Sequence, residues 1–485
     1  MDSSLNDFLS CPCMSSAVSI AASPEGSSAS NLRRLVFASS LGTLFEWYDF
    51  YLYGSLAVFF GELFFPPGNE RVSLLASLAT FGAGFGVRPL GALVFGRIGD
   101  LIGRKYTFVV TILVMGLSTA LIGFLPTYAS IGVAAPIILV TLRLVQGLAL
   151  GGEYGGAATY IAEHVPDNRR GFYTSFIQTT ATLGFFVSLG VIGTMRSYCS
   201  PEGFKAWGWR VPFLLSFLLI AISLYVRLKM SESPLFVKLK AEGQVSKNPL
   251  KESFTNRTNL KFVLLALFGA TAGQGVVWYT GQFYALTFLQ KPLNLDWKLA
   301  YVLISIALAI GTPFFIVFGR LSDAIGRKKI MLAGCLLAAI SYIPIYAAIK
   351  QLANPAMLPR IESLPLGNAV MLIGLLAVQM IYVAMVYGPI AAFLVELFPT
   401  SIRYTSMSLP YHIGNGWFGG FLPLIATAAT TSTWAGETFG AHAIYTGLIY
   451  PIAVCLLTVI VGGLCIRETK HHKIDTPIRM RSPHD

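Results

Sequence analysis

The chain has 485 residues, 54% of them hydrophobic and only 12% charged, with a mean hydropathy of +0.65. A water-soluble fold with those values would lack polar surface, which argues against a soluble globular protein and for one that crosses a bilayer many times. The formal net charge of +12 would suit nucleic acid, but its distribution along the chain assigns it to membrane topology instead.

The first thirty residues are rich in Ser and Ala and hold no apolar core of signal-peptide length, so residues 1–31 are expected to form a flexible cytoplasmic tail, with Met14 as an alternative start to Met1. Cys11 and Cys13 fall in this tail. Cys199, Cys335, Cys455 and Cys465 follow no metal or disulfide spacing. Apolar runs then recur at 33–60, 73–97, 106–125, 131–164, 171–195 and 210–229, and again at 261–289, 299–319, 329–350, 367–397, 404–428 and 440–466. The pattern predicts an all-α polytopic protein of twelve transmembrane helices. Residues 32–229 form one six-helix half and 261–466 the other. A polar segment at 230–260, holding Lys238, Lys240, Lys247, Lys251 and Arg257, joins them, and a tail at 467–485 follows.

With the amino terminus inside, 25 of the 35 Lys and Arg fall on the cytoplasmic side and eight outside, and Arg88 and Arg143 stay in the membrane. The asymmetry predicts both termini inside and accounts for the charge without nucleic acid. The halves also repeat. Gly96-Arg97-Ile98-Gly99-Asp100-Leu101-Ile102-Gly103-Arg104-Lys105 returns 223 residues later as Gly319-Arg320-Leu321-Ser322-Asp323-Ala324-Ile325-Gly326-Arg327-Lys328. The stretch from Glu163 to Arg170 returns 233 residues later from Glu396 to Arg403. Both pairs sit at equivalent helix ends, the signature of a parallel duplication.

A charge deep in hydrocarbon costs several kcal/mol unless paired or neutralised, so intramembrane ionisable groups are functional candidates. Glu46 and Asp49 lie three residues apart in the first helix and share a face. With Arg88, Arg143 and Glu153 they form a deep set whose ionised sum is −1, one proton short of neutrality. One acid is expected to carry the coupling proton, with Arg88 or Arg143 as counter-charge. Arg143 is also a candidate for a bidentate grip on a substrate carboxylate. Gly147, Gly151 and Gly155 at four-residue spacing read as a helix-packing stripe. Gln274, Trp278 and Gln282 line one face of helix seven, and with Tyr53, Asn415 and Trp417 they are the expected substrate-binding set. His412 reads as a packing residue. Asp100, Arg104, Asp323, Arg327, Glu163, Arg170, Glu396 and Arg403 are expected to gate the cytoplasmic side through charge-assisted bonds between the halves. No nucleophile triad, helix-borne metal pair or phosphate loop is evident, so neither an enzyme nor a cofactor or metal is expected.

The Gly-x-x-x-Asp-x-x-Gly-Arg-Lys repeat resembles the loop signature of the major facilitator superfamily, and Arg143-Leu144-Val145-Gln146-Gly147 resembles its fourth-helix pattern. Glu46-Trp47-Tyr48-Asp49-Phe50-Tyr51, Arg88-Pro89 and Gly151-Gly152-Glu153-Tyr154-Gly155 resemble the metabolite–proton symporter branch. The resemblance spans about Asn31 to Thr469. It implies a bacterial inner-membrane symporter that carries an organic acid such as a dicarboxylate or shikimate-like acid, or else a proline- or betaine-type osmolyte. Glu232-Ser233-Pro234 and Arg467-Glu468-Thr469-Lys470 resemble segments of sugar porters, which keeps a sugar-like cargo as an alternative. Helix five lacks the Gly-Pro signature of drug–proton antiporters. The tail after Arg467 has no heptads, unlike osmosensing osmolyte carriers, and no soluble domain suggests a receptor or sensor. The expected partners are a small substrate, protons and the bilayer, with the proton gradient as driver and the chain a monomer.

Overall fold

The computed structural model describes residues 29–102, 104–228, 237, 240–242, 248–470 and 472, with the backbone alone at 29–39, 41, 104 and 108. The expected amino-terminal tail up to residue 28, much of the central polar segment, the tail beyond 472 and the Arg104 side chain thus lie outside the described residues. Among the described residues, twelve long helical runs follow one another. They are α1 (Ala29–Phe64), α2 (Glu70–Leu101), α3 (Arg104–Phe124), α4 (Ala134–Ala162), α5 (Asp167–Tyr198), α6 (Pro201–Leu228), α7 (Arg257–Gln290), α8 (Trp297–Ile325), α9 (Arg327–Ala353), α10 (Leu366–Leu397), α11 (403–430) and α12 (Thr433–Cys465). Among the described residues, ten are long and apolar enough to cross a membrane; α1 and α11, which carry the deep acids and a Gly- and Ser-rich stretch, are the other two. Most runs lie within about four residues of their expected positions; the largest differences are α6, which starts at Pro201 rather than 210, α12, which starts at Thr433 rather than 440, and α8, which runs on to Ile325 rather than 319. Ahead of α7 lies a short helix Pro249–Thr255 whose first turn is capped by the Asn248 side chain.

Helix packing in lipid gains little from hydrophobicity and depends on close contact through small residues. The glycine stripe of α4 does this. A methyl on Gly147 would run into the Gly84 carbonyl of α2 and stand 2.8 Å from the Val87 side chain, and one on Gly151 would stand 2.8 Å from the Ala92 nitrogen. Gly155 packs elsewhere, against Ser408 of α11. The halves meet where α5 runs along α8 and α2 along α11.

Two of the breaks in first-half helices, in α2 and α4, each position a charged residue. In α2, Pro89 supplies no N–H and the helix interrupts at Val87, directly before Arg88. The Leu90 N–H turns to Val87 O (3.0 Å), which releases the Gly86 carbonyl; Trp417 of α11 donates its indole N–H to it at 2.9 Å. In α4, Gly152 and Glu153 bond three residues back, to Ala149 O and Leu150 O, rather than four. The Gly152 carbonyl there accepts the Tyr404 hydroxyl, again from α11. In the second half, α7 widens into π turns at Leu267–Thr271 and Thr280–Tyr284, and α11 at Gly414–Gly420. Such turns mark places where a helix gives up regularity to aim side chains.

Candidate functional site

Arg88 and Arg143 are both fully buried between helices. The Arg88 guanidinium lies over the rings of Trp47 (5.1 Å), Phe50 (5.6 Å) and Phe85 (4.9 Å), and none of its three nitrogens has a hydrogen-bond partner among the described residues. Arg143 shares the Phe50 ring at 4.1 Å and covers Tyr53 at 4.7 Å. Its Nη1 donates to Gln146 Oε1 (2.6 Å) and Phe50 O (3.3 Å), whereas Nε and Nη2 are unpartnered. Ring faces attract cations but satisfy no N–H donor, so two positive forks are held here with donors to spare. The aromatic lining crosses to the second half: Tyr51 stacks on Trp278 at 5.2 Å, and Phe85 meets Tyr279 edge-on at 5.1 Å.

The acids lie apart from these arginines. Their counter-charge is Arg227 of α6, whose Nη2 donates to Glu46 Oε1 at 2.7 Å and, more closely still, to Glu153 Oε1. Thr111 donates to Glu153 Oε2 at 3.3 Å, and Glu46 Oε2 accepts no hydrogen bond among the described residues. Gly42 of α1 makes room for this fork, since a methyl there would stand 3.2 Å from Arg227 Nε. This corrects the expected pairing with Arg88 or Arg143. Arg227 stands at the end of the sixth apolar run, where a topology charge is expected, but burial against two acids makes it part of the deep set. Asp49 makes no ion pair among the described residues and accepts from Ser216 Oγ at 2.6 Å. The deep charges therefore separate into two arginines among rings, Asp49 beside Ser216, and a cluster of two acids on one arginine, which is one proton short of neutral by itself.

At the end of the bundle bearing the repeated loops, polar bonds bridge the halves with approximate two-fold symmetry. Asp323 of α8 accepts from the backbone N–H groups of Gly171 (2.9 Å) and Phe172 (2.8 Å), capping the first turn of α5. Asp100 of α2 does the same at α11, accepting from Thr405 N (3.3 Å) and Thr405 Oγ1 (2.7 Å). A carboxylate at a helix amino terminus is held by free N–H groups and the helix dipole together. Beside the first cap, Glu396 takes Arg170 at 2.9 Å and Arg327 at 3.0 Å, and Arg327 also holds Asp323 at 2.7 Å. Beside the second, Glu163 takes Arg403 at 3.2 Å. Seven of the eight expected gating residues thus occupy one end.

Sequence reading missed the strap after α12. Glu468 caps α9 through the Arg327 and Lys328 N–H groups (2.8 and 3.2 Å), and Thr469 donates to Glu396 Oε2 at 2.6 Å. Gly326, at φ 112°, allows this approach, because a methyl there would stand 2.6 Å from the Glu468 carboxyl carbon. At the opposite end, Tyr301 of α8 donates to Ser55 O of α1 at 2.6 Å, and Arg196 of α5 covers the Trp297 ring of α8 at 4.7 Å. The halves are in contact at both ends.

The expected substrate set divides. Trp278 and Gln282 are buried in the aromatic lining, and Trp278 Nε1 and Gln282 Oε1 are unpartnered. Gln274 and Asn415 satisfy each other, at 3.0 and 2.8 Å. Tyr53 is engaged with Ser77 at 3.1 Å. Trp417 is 51% exposed and serves the Gly86 carbonyl, so it corrects to a brace between α2 and α11.

Residues 39–409 match the Major Facilitator Superfamily. The chain is 37% identical over 451 residues to the inner membrane metabolite transport protein YhjE of Escherichia coli K12, covering 91% of this chain and 95% of that one. It is 34% identical to the shikimate transporter of the same organism (90% and 95% covered) and 33% identical to the proline/betaine transporter of Salmonella typhimurium LT2 (91% and 85%). In fold it is similar to the proton:xylose symporter XylE bound to 6-bromo-6-deoxy-D-glucose, with a TM-score of 0.71 at 18% identity over 92% of this chain and 98% of the other.

Proposed function

The chain belongs to the Major Facilitator Superfamily, in its metabolite-transport branch, and from that premise we propose that it imports a small hydroxylated organic anion together with protons across the bacterial inner membrane, both of its termini cytoplasmic. One observation carries the substrate class: the Arg88 guanidinium is buried between helices with no hydrogen-bond partner among the described residues on any nitrogen. An unpaired buried cation is costly, and a carboxylate that fits its fork bidentately relieves the cost. The spare donors of Arg143 and Trp278 and the spare Gln282 acceptor suit further oxygen and hydroxyl groups, and the rings suit an apolar face. The shikimate transporter among the relatives has a cargo of that kind. A zwitterionic osmolyte is the second reading, favoured by the Tyr51–Trp278 stack, which offers ring faces to an ammonium group.

Proton coupling is assigned to Glu46 and Glu153, which share Arg227, and to Asp49. A proton on Glu46 Oε2, the acid oxygen without a partner, neutralises the cluster. The two aspartate caps and the Glu396 and Glu163 bridges form the inner gate, so the arrangement described is the state with that gate closed. No cofactor enters this scheme, and one copy suffices. Uptake of radiolabelled organic acids, betaines and sugars into cells, with and without a protonophore, tests the reading. Saturable, protonophore-sensitive uptake of a hydroxylated acid supports it, and selective uptake of betaine or sugar refutes the substrate class.

A further inference from the structure

We propose that Tyr404 is a positioning residue that ties closure of the inner gate to the acid cluster of Glu46, Arg227 and Glu153; the inference rests on the proton-coupling reading above. Tyr404 is fully buried in the first turn of α11. Its ring lies against α2, where methyls on Gly96 and Gly99 would stand 3.3 and 3.6 Å from it. Its hydroxyl donates to the Gly152 carbonyl at the break in α4. The next residue along α4 is Glu153, held by Arg227 and Thr111. The next residue along α11 is Thr405, whose N–H and hydroxyl bind Asp100. Two adjacent residues of one half therefore touch the backbone beside the acid cluster and the cap that closes the gate.

A proton on the cluster removes one of the two charges that hold Arg227 between α1 and α4. The Glu153 side chain then changes its pull on the α4 break, where the backbone is already out of helical register. The Gly152 carbonyl is the group that moves with it, and Tyr404 is its partner from the other half. A hydroxyl on a rigid ring transmits a sub-ångström shift that a flexible side chain would absorb. The ionisable groups facing the cluster are Glu46 and Asp49 from α1, Arg227 from α6, Tyr404 from α11 and, through the last α6 carbonyl, Lys105 of α3, which donates to Leu228 O at 2.8 Å; Asp100 of α2 lies at the far end of the link.

The test uses the full chain with its native cysteines replaced and Thr159→Cys added. Thr159 is buried in α4 and faces Met407 of α11 at 3.4 Å, so it reports opening of this seam to a maleimide added from the inner side. With Tyr404 present, labelling should change with pH by about tenfold, within the 5–150-fold range of coupled sites. Glu153→Gln should hold labelling constant. Tyr404→Phe, which removes one oxygen, should also make labelling independent of pH, while the purified variant still takes up a proton when its buffer is acidified. Thr405→Val, which keeps the tyrosine and removes the shorter, hydroxyl bond to Asp100 while leaving the 3.3 Å backbone N–H bond, should label more strongly than the parent at every pH. If Tyr404→Phe keeps the full pH profile that Glu153→Gln abolishes, the proton-coupling reading stands and the Tyr404 link is refuted. If the parent protein itself shows no pH profile, the reading fails and the link falls with it. Should Tyr404→Phe not fold, unchanged labelling of Thr405→Val overturns the link.

Discussion

Replacing Arg88 with methionine should abolish substrate binding and leave the protein as stable as before, or more so. The guanidinium is fully buried and lies against ring faces at 4.9, 5.1 and 5.6 Å. Each face is worth about 0.5–2 kcal/mol, while burying the ion costs several kcal/mol, so the three contacts together about break even. Methionine fills a similar volume without a charge or an unsatisfied donor. Substrate binding is different, because a carboxylate on this fork gains two charge-assisted bonds of about 1.5–3 kcal/mol each, and their loss weakens binding by roughly a hundredfold or more. Thermal unfolding of the detergent-solubilised protein gives the first quantity, and calorimetric titration with the transported acid gives the second. A variant that unfolds many degrees lower while binding substrate normally would refute the reasoning, since it would make Arg88 a structural group.

The opposite pattern is expected at Arg227, where methionine strands Glu46 and Glu153 together without a cation; unfolding should fall by about 3–5 kcal/mol, and adding Glu153→Gln should recover much of it, with unfolding of single and double variants as the check. Asp323→Asn weakens a cap of two backbone N–H groups at 2.9 and 2.8 Å; a loss of about 1.4 kcal/mol would raise inner-gate opening about tenfold, read as faster maleimide labelling of a buried cysteine, and an unchanged rate counts against the gate. Gly147→Val should prevent folding, because the side chain has no space beside the Gly84 carbonyl, whereas Gly190→Ala, with nothing within 4 Å, should change stability by under about 0.5 kcal/mol; equal yields of the two in detergent would contradict the packing account.

The helix order was legible because lipid forces it: every spanning stretch must satisfy its own backbone and stay apolar for about 20 residues. The deep acids were legible for the same reason, since Glu46, Asp49 and Glu153 stand out in such runs. Their partner was not. Arg227 is 181 residues from Glu46 and 74 from Glu153, and it ends an apolar run where a topology charge is also expected. The deep acids outnumber the deep cations of the first four helices by one, a difference that a bound proton or one further buried cation supplies equally well, so the count alone does not single out Arg227. The glycine stripe of α4 was read correctly at Gly147 and Gly151. The role of Trp417 is not legible in the sequence, because the break at Pro89 that frees the Gly86 carbonyl for it lies more than 300 residues away. Tyr404 and Thr405 carried no signal, since their importance lies in two contacts with the other half. Glu468 and Thr469 lay within a recognised segment, but their contacts with α9 and Glu396 depend on the turn at Gly326.

The central claim, an anion carried with a proton, is tested most directly in proteoliposomes with a pH-sensitive dye inside and a labelled hydroxylated acid outside. An imposed inward pH gradient should drive the acid to several times its outside concentration with matching internal acidification. Glu46→Gln or Asp49→Asn should lose this accumulation yet keep exchange of preloaded substrate. Uptake that only equilibrates, or that leaves the dye unchanged while the acid accumulates, would contradict the account.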